Sequence, residues 1–172
     1  MSASAPGRVA PMPTKVRHLV IVLGDQLDAE SSAFDGLDAT QDVVWMAEVA
    51  EESTHVWSAK QRTVVFLSAM RHFAAELRER GLPVHYTALD DANNPGTLAA
   101  ALQQAIAALR PTGLVLTAPG DWRVLHSLRA VAAQHSLPLD LRDDTHLREF
   151  AAHAQGRKQL RLEYWYRELR HK

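Results

Sequence analysis

Three groups of residues have the types and spacing to do chemistry. Gly24-Asp25-Gln26 follows an apolar run, combining a glycine that permits a sharp turn with two polar side chains and their backbone N–H groups. Such a set can bind a ligand at the edge of a sheet, or Asp25 can cap nearby backbone in an ordinary turn. Glu48, Glu51 and Glu52 crowd the end of a second apolar run. A paired-carboxylate hydrolase needs two carboxylates converging on one bond, one with its pKa raised by burial. Nothing in the sequence supplies a second wall for that site, so hydrogen bonds to a polyhydroxylated ligand or to backbone are expected instead. The third group is Arg157–Lys172, with six basic residues against two acids, net +4, and Tyr164, Trp165 and Tyr166 among them. Basic residues between aromatics suit phosphate contacts and base stacking. They equally suit a helix that packs its aromatic side on a neighbouring domain and keeps its charges in water.

Other chemistries fall away on composition. The 172 residues include no cysteine, which excludes disulfides, zinc–thiolate sites, iron–sulfur clusters and thiol nucleophiles from this chain. There is no G-x-G-x-x-G, no Walker lysine loop and no G-x-S-x-G elbow. Among nine histidines none are three or four apart, so no helical metal clamp is indicated, and His146 and His153, seven apart, read as surface residues. A net charge of −1 argues against a chain that is basic all over. With 47% hydrophobic and 23% charged residues the chain is an ordinary globular one, and no apolar run is long enough to span a membrane. Residues 1–15 lack the apolar core of a secretory signal and read as a disordered tail, so a cytoplasmic protein is expected.

The elements that must position these groups alternate. His18–Leu23 and Asp42–Ala47 are continuous apolar runs of the kind buried on both faces of a parallel sheet. Between them is room for a short helix. Ala59, Thr63, Phe66, Met70, Phe73 and Leu77 share one face of a helix predicted over Trp57–Arg80, stopped by Gly81 and Pro83. Pro83–Leu89 is a third strand. Thr97 N-caps an Ala-rich helix ending before Pro111, Gly113–Thr117 is a fourth strand, Asp121 caps a helix to His135, and Pro138–Leu141 is a fifth strand. After a loop at residues 142–145, His146–Ala154 and Arg157–Arg170 read as helices. Strands alternating with helices predict an α/β fold: a Rossmann-like open five-stranded parallel sheet flanked by helices. Ligands in such sheets sit beyond the carboxyl ends of the strands, which here carry Gly24 to Gln26, Glu48 to Thr54, Leu89 to Asp91 and Ala118 to Trp122.

Five segments in order, LVIVLGDQLD, QDVVWMAEVAEESTHVWSAKQR, FLSAMRHFAAELRERGLPVHY, APGDWRV and GRKQLRLEYWYRELR, resemble the signatures of the bacterial photolyase-related proteins. These form the iron–sulfur branch of the photolyase/cryptochrome family, which includes prokaryotic (6-4) photolyases. The resemblance implies an α/β antenna domain over residues 16–145 that holds 6,7-dimethyl-8-ribityllumazine, and at 146–172 the helical start of a connection to a C-terminal domain. In full-length relatives that domain binds FAD, a cysteine-ligated [4Fe-4S] cluster and damaged DNA. The resemblance therefore implies a truncated chain, inactive in repair on its own. By position it implies a pigment site made of Gly24, Asp25, Gln26, Glu48, Glu52 and His55, with the glutamates accepting from ribityl hydroxyls and Phe66 as a wall. Two other readings stand beside it: a free-standing nucleotide- or cofactor-binding module, and a docking domain whose Tyr164, Trp165 and Tyr166 engage a separate catalytic subunit.

Overall fold

The computed structural model describes residues 11–51 and 59–144. Five strands, β1 (His18–Ile21), β2 (Val43–Ala47), β3 (Val84–Thr87), β4 (Gly113–Thr117) and β5 (Leu139–Arg142), form one sheet in the order β3-β2-β1-β4-β5. Every pairing is parallel, with Ile21 opposite Trp45 and Leu116, Val44 opposite Val84, and Leu116 opposite Leu141. The helices are α1 (Lys60–Glu79), α2 (Leu98–Leu109) and α3 (Trp122–Gln134), and a single 3-10 turn at Ser32–Phe34 occupies the room between β1 and β2. This is the open α/β sheet the sequence predicts. β1 ends two residues early as a ladder strand, yet Val22 and Leu23 stay buried and the Val22 N–H still donates to the Trp45 carbonyl at 3.0 Å.

Side-chain alternation divides the core between the two faces. Leu19, Ile21, Val43, Trp45, Leu114 and Leu116 pack on one face against Leu102 and Ala105 of α2 and Leu128 and Val131 of α3. On the other face Val22, Val44, Met46 and Val84 meet Met70, Phe73, Ala74 and Leu77 of α1, while Val20 and Val115 lie under Ala33 of the 3-10 turn. Each large apolar side chain buried this way contributes about 1.5–3 kcal/mol. Only the second half of the predicted α1 face is buried in this core. Thr63 and Phe66 are half-buried and Ala59 is exposed, because the first half of the helix overhangs the strand ends.

The helix ends follow their capping residues. Thr97 accepts from the Ala100 N–H at the start of α2, Asp121 accepts from the Arg123 N–H at 2.8 Å at the start of α3, and Gly81 takes the left-handed conformation (φ 81°) just past α1. The β1–β2 connection is pinned from the far edge by Arg142, whose Nη1 donates to the carbonyls of Ser32 at 2.7 Å and Asp35 at 2.8 Å. Among the described residues no helix is long and apolar enough to cross a membrane. The predicted tail up to residue 10 and the helices after residue 144 lie outside the described residues.

Candidate functional site at the strand ends

A cavity of about 450 Å³ opens at the carboxyl ends of β1, β2 and β4. Its floor is apolar, from Val22, Leu23, Val49, Leu98 and Val124, and the overhanging half of α1 supplies one wall with Thr63, Phe66, Leu67 and Met70. Charged groups share its lining: Asp25, Glu48, Glu51, Arg62, Asp121 and Arg123. The parallel sheet dictates this place, since all the strands end on the same side and the strand order reverses at β1. Strands β2 and β3 are built out on one side, and β4 and β5, reached by the crossover from β3, on the other.

Of the residues singled out from the sequence, Gly24, Asp25, Glu48 and Phe66 line the cavity. Glu52 and His55 lie outside the described residues. Gly24 does not need its conformational freedom, for its φ is not positive. Its role is close packing: a Cβ there would run into the Phe66 ring, with Cε1 at 2.8 Å, and Met70 Sδ at 2.9 Å. Asp25 is exposed beside it. Gln26 is not in the lining. Its Nε2 donates to the carbonyls of Ala118 at 3.1 Å and Thr117 at 3.3 Å, tying the turn after β1 to the end of β4, and its Oε1 is buried without a partner among the described residues.

Glu48 is the most constrained group of the site. It is 1% exposed, and its two carboxylate oxygens receive four donors. Arg71 Nε and the Tyr86 hydroxyl donate to Oε1 at 2.6 and 2.5 Å, and Arg71 Nη2 and the Leu89 N–H donate to Oε2, both at 2.8 Å. That fills the roughly four acceptor positions a carboxylate offers. Asn94 Nδ2 bonds the Glu48 carbonyl and that of Ala88, both at 2.7 Å. Burial pushes the Glu48 carboxyl up, but the Arg71 and Tyr86 donors and the Leu89 N–H outweigh it and hold it below its ordinary value. Burial and the same carboxylate raise the Tyr86 phenol, and Glu48 raises the Arg71 guanidinium. The sequence reading missed Arg71 and Tyr86. The available signal was an arginine at the border of the buried stripe of α1, one residue after Met70 and three before Ala74.

The amino end of α3 also reaches the cavity. A helix start attracts anions through its free N–H groups and dipole, but here Asp121 occupies that position, bonded to the Arg123 N–H and paired with the Arg123 guanidinium at 2.6 Å. The rim thus mixes carboxylates with arginines around an apolar floor.

Comparison with known proteins agrees with this architecture. The family profile of deoxyribodipyrimidine photo-lyase-related proteins matches residues 20–172. A (6-4) photolyase of Agrobacterium fabrum (strain C58 / ATCC 33970) is 41% identical over 159 residues, covering 90% of this chain and 31% of the relative. The chain therefore spans about a third of that relative's length. An in-order match across nearly the whole sheet, strand ends included, places this chain in the deoxyribodipyrimidine photo-lyase-related family.

Proposed function

We propose that this chain forms the antenna domain of a photolyase-related protein and that the cavity at the strand ends takes 6,7-dimethyl-8-ribityllumazine. The observation that supports this best is the cavity itself: about 450 Å³, within the range of small-molecule sites, with an apolar floor and a mixed polar rim. The residues fit such a ligand. Phe66 lies against Gly24 and offers a flat apolar wall to a ring system, while Asp25 and Glu51 offer acceptors to ribityl hydroxyls; Glu52, outside the described residues, is assigned the same role on the family resemblance alone. Glu48, its acceptor positions taken by the protein, frames the site instead of bonding the ligand. A bound lumazine supplies light absorption; the protein's part is to hold it rigidly and keep water off its ring. Asp121 at the head of α3 makes the rim a poor phosphate site, which weighs against the nucleotide-binding reading.

In longer family members the excitation passes, on this proposal, to FAD for light-driven repair of DNA. A chain without cysteine offers no thiolate to a [4Fe-4S] cluster, and we place the flavin, the cluster and lesion recognition outside these 172 residues. The test is an absorption spectrum of the purified chain after incubation with excess lumazine and desalting. Pigment co-eluting near one per chain, and lost in Asp25→Ala or Glu52→Ala, is expected; Phe66→Ile widens the cavity and retains it. A folded chain that retains no pigment, or one that shifts its melting temperature with ATP and not with lumazine, overturns the reading. Stoichiometric FAD in the isolated chain overturns the placement of the flavin.

A further inference from the structure

We propose that Arg71, which does not line the cavity, is the positioning residue for its α1 wall: its two-pronged hold on ionised Glu48 locks the overhanging half of α1 to the end of β2. What the lock serves rests on the ligand-site reading above, but the lock itself can be tested without any ligand.

Arg71 stands at a boundary in α1. Beyond it, Phe73, Ala74 and Leu77 are buried against the sheet and hold that half of the helix by packing. Before it, Met70 is buried, but ahead of Met70 the helix has only the partly buried Phe66 and Leu67 against the core, and Val64 and Val65 are 66% and 68% exposed. The stretch ahead of Met70, which carries Thr63, Phe66 and Leu67 of the cavity wall, therefore has only partial apolar burial to fix it. The Arg71 guanidinium provides a directional anchor in its place, because a fork meeting a carboxylate in two parallel bonds sets orientation as well as distance. The anchor point is itself immobilised by Tyr86 from β3 and the Leu89 N–H, and by Asn94 on the Glu48 carbonyl. Glu48 is buried while Arg71 is half exposed, and a buried carboxylate gains little net stability from its partner yet is costly to leave without it. Such a pair is thus better suited to fixing a geometry than to adding stability.

The lock has a signature that a simple structural contact lacks. Without Arg71, Glu48 remains buried with two donors, Tyr86 and the Leu89 N–H, facing Asp90 on the loop after β3 and sharing the cavity with Asp25, Glu51 and Arg62. Burial then governs its titration and its folded pKa rises above the unfolded one. The variant's penalty is therefore full at neutral pH and shrinks as pH falls and the carboxyl takes a proton.

The experiment compares wild type, Arg71→Met, Arg71→Lys and Arg71→Met with Glu48→Gln by urea unfolding from pH 7.5 to 5 and by hydrogen exchange. The expected result is a midpoint loss in Arg71→Met that narrows toward pH 5 and no longer varies with pH in the double variant. Faster exchange over residues 62–70 but not 73–79 is also expected. Lumazine retention falls by about tenfold or more, as for a displaced binding wall. If Arg71→Met does not fold, Arg71→Lys keeps the charge, loses the fork, and shows the same localised exchange without the pH dependence. A pH-independent penalty in Arg71→Met, or unchanged exchange over 62–70, overturns the proposal. If wild type retains no lumazine but the exchange and pH patterns hold, the lock stands and the antenna reading fails.

Discussion

Asp42 just precedes β2 and Glu48 just follows it; both are 1% exposed, and both meet an arginine through two bonds. At the amino end, Arg17 Nε and Nη2 reach Asp42 at 2.9 and 2.5 Å, and the N–H groups of His18 and Asp38 complete the set at 3.1 and 2.9 Å. Those donors come from segments that lead directly into β1 and β2. At the carboxyl end, the donors to Glu48 come from α1, from β3 and from the loop beyond it. One chemistry thus serves two purposes. At the amino end it closes the sheet where successive segments already lie together. At the carboxyl end, where the chain diverges and leaves a cavity, it spans the gap and fixes the wall.

Removing each carboxylate breaks the comparison most directly. Asp42→Ala and Glu48→Ala both strand buried backbone or phenol donors while the half-exposed arginines turn to water, and each lowers unfolding free energy by about 1–3 kcal/mol. Chemical denaturation reads this effect. At temperatures where both variants are folded, Asp42→Ala retains lumazine and Glu48→Ala does not. Equal loss in the two variants would mean that the Glu48 cluster stabilises the sheet without framing the cavity.

Acid separates the ends of β2 from its neighbour β3 by a smaller effect. For Asp42 and Glu48 burial pushes upward, but paired donors hold both carboxyls below their ordinary values. Asp38 is held down to about 2 by the Thr40 side chain and N–H and by Gln41. Groups whose folded pKa is depressed contribute their stability above the unfolded values, about 3.9 for Asp and 4.3 for Glu, and lose it as pH falls through the folded ones. His85 on edge strand β3 is different: burial alone lowers its pKa, so the fold favours its neutral form. Its contribution is lost earlier, as pH drops below about 6.5. A urea midpoint followed from pH 8 to 3 therefore falls in two stages. His85→Gln removes the shallow stage near pH 6, and Asp42→Asn flattens part of the steep stage below pH 4. A single stage unchanged by either substitution would assign the acid sensitivity elsewhere.

The sequence made the sheet legible because burial on both faces leaves an unmistakable pattern. Gly113–Thr117 is β4 residue for residue, and the caps at Thr97 and Asp121 act where side-chain chemistry put them. The cavity's place was legible too, since parallel strands present all their carboxyl ends together, and Gly24, Asp25, Glu48 and Phe66 line it. What is missing from any local pattern is the partner choice of Glu48. It depends on the register that sets Met46 opposite Tyr86 and on how far α1 slides along the sheet. The same holds for Gln26, whose amide reaches carbonyls at residues 117 and 118 only because β1 and β4 are neighbours in space.

The two helix caps sharpen the contrast with the smallest effect. Thr97 and Asp121 each satisfy one backbone N–H, of Ala100 and Arg123, and either change to alanine costs about 1 kcal/mol. Only Asp121 stands in the cavity lining. Asp121→Ala removes a negative charge from the head of α3 and from beside the Arg123 guanidinium, and a helix start without its own carboxylate favours an anion. The Asp121→Ala variant is accordingly expected to gain a thermal shift with FMN or inorganic phosphate that wild type and Thr97→Ala lack. If wild type already shows that shift, the rim accepts phosphate as it stands, and the proposed preference for an uncharged ribityl ligand would have to come from the floor instead of the charges.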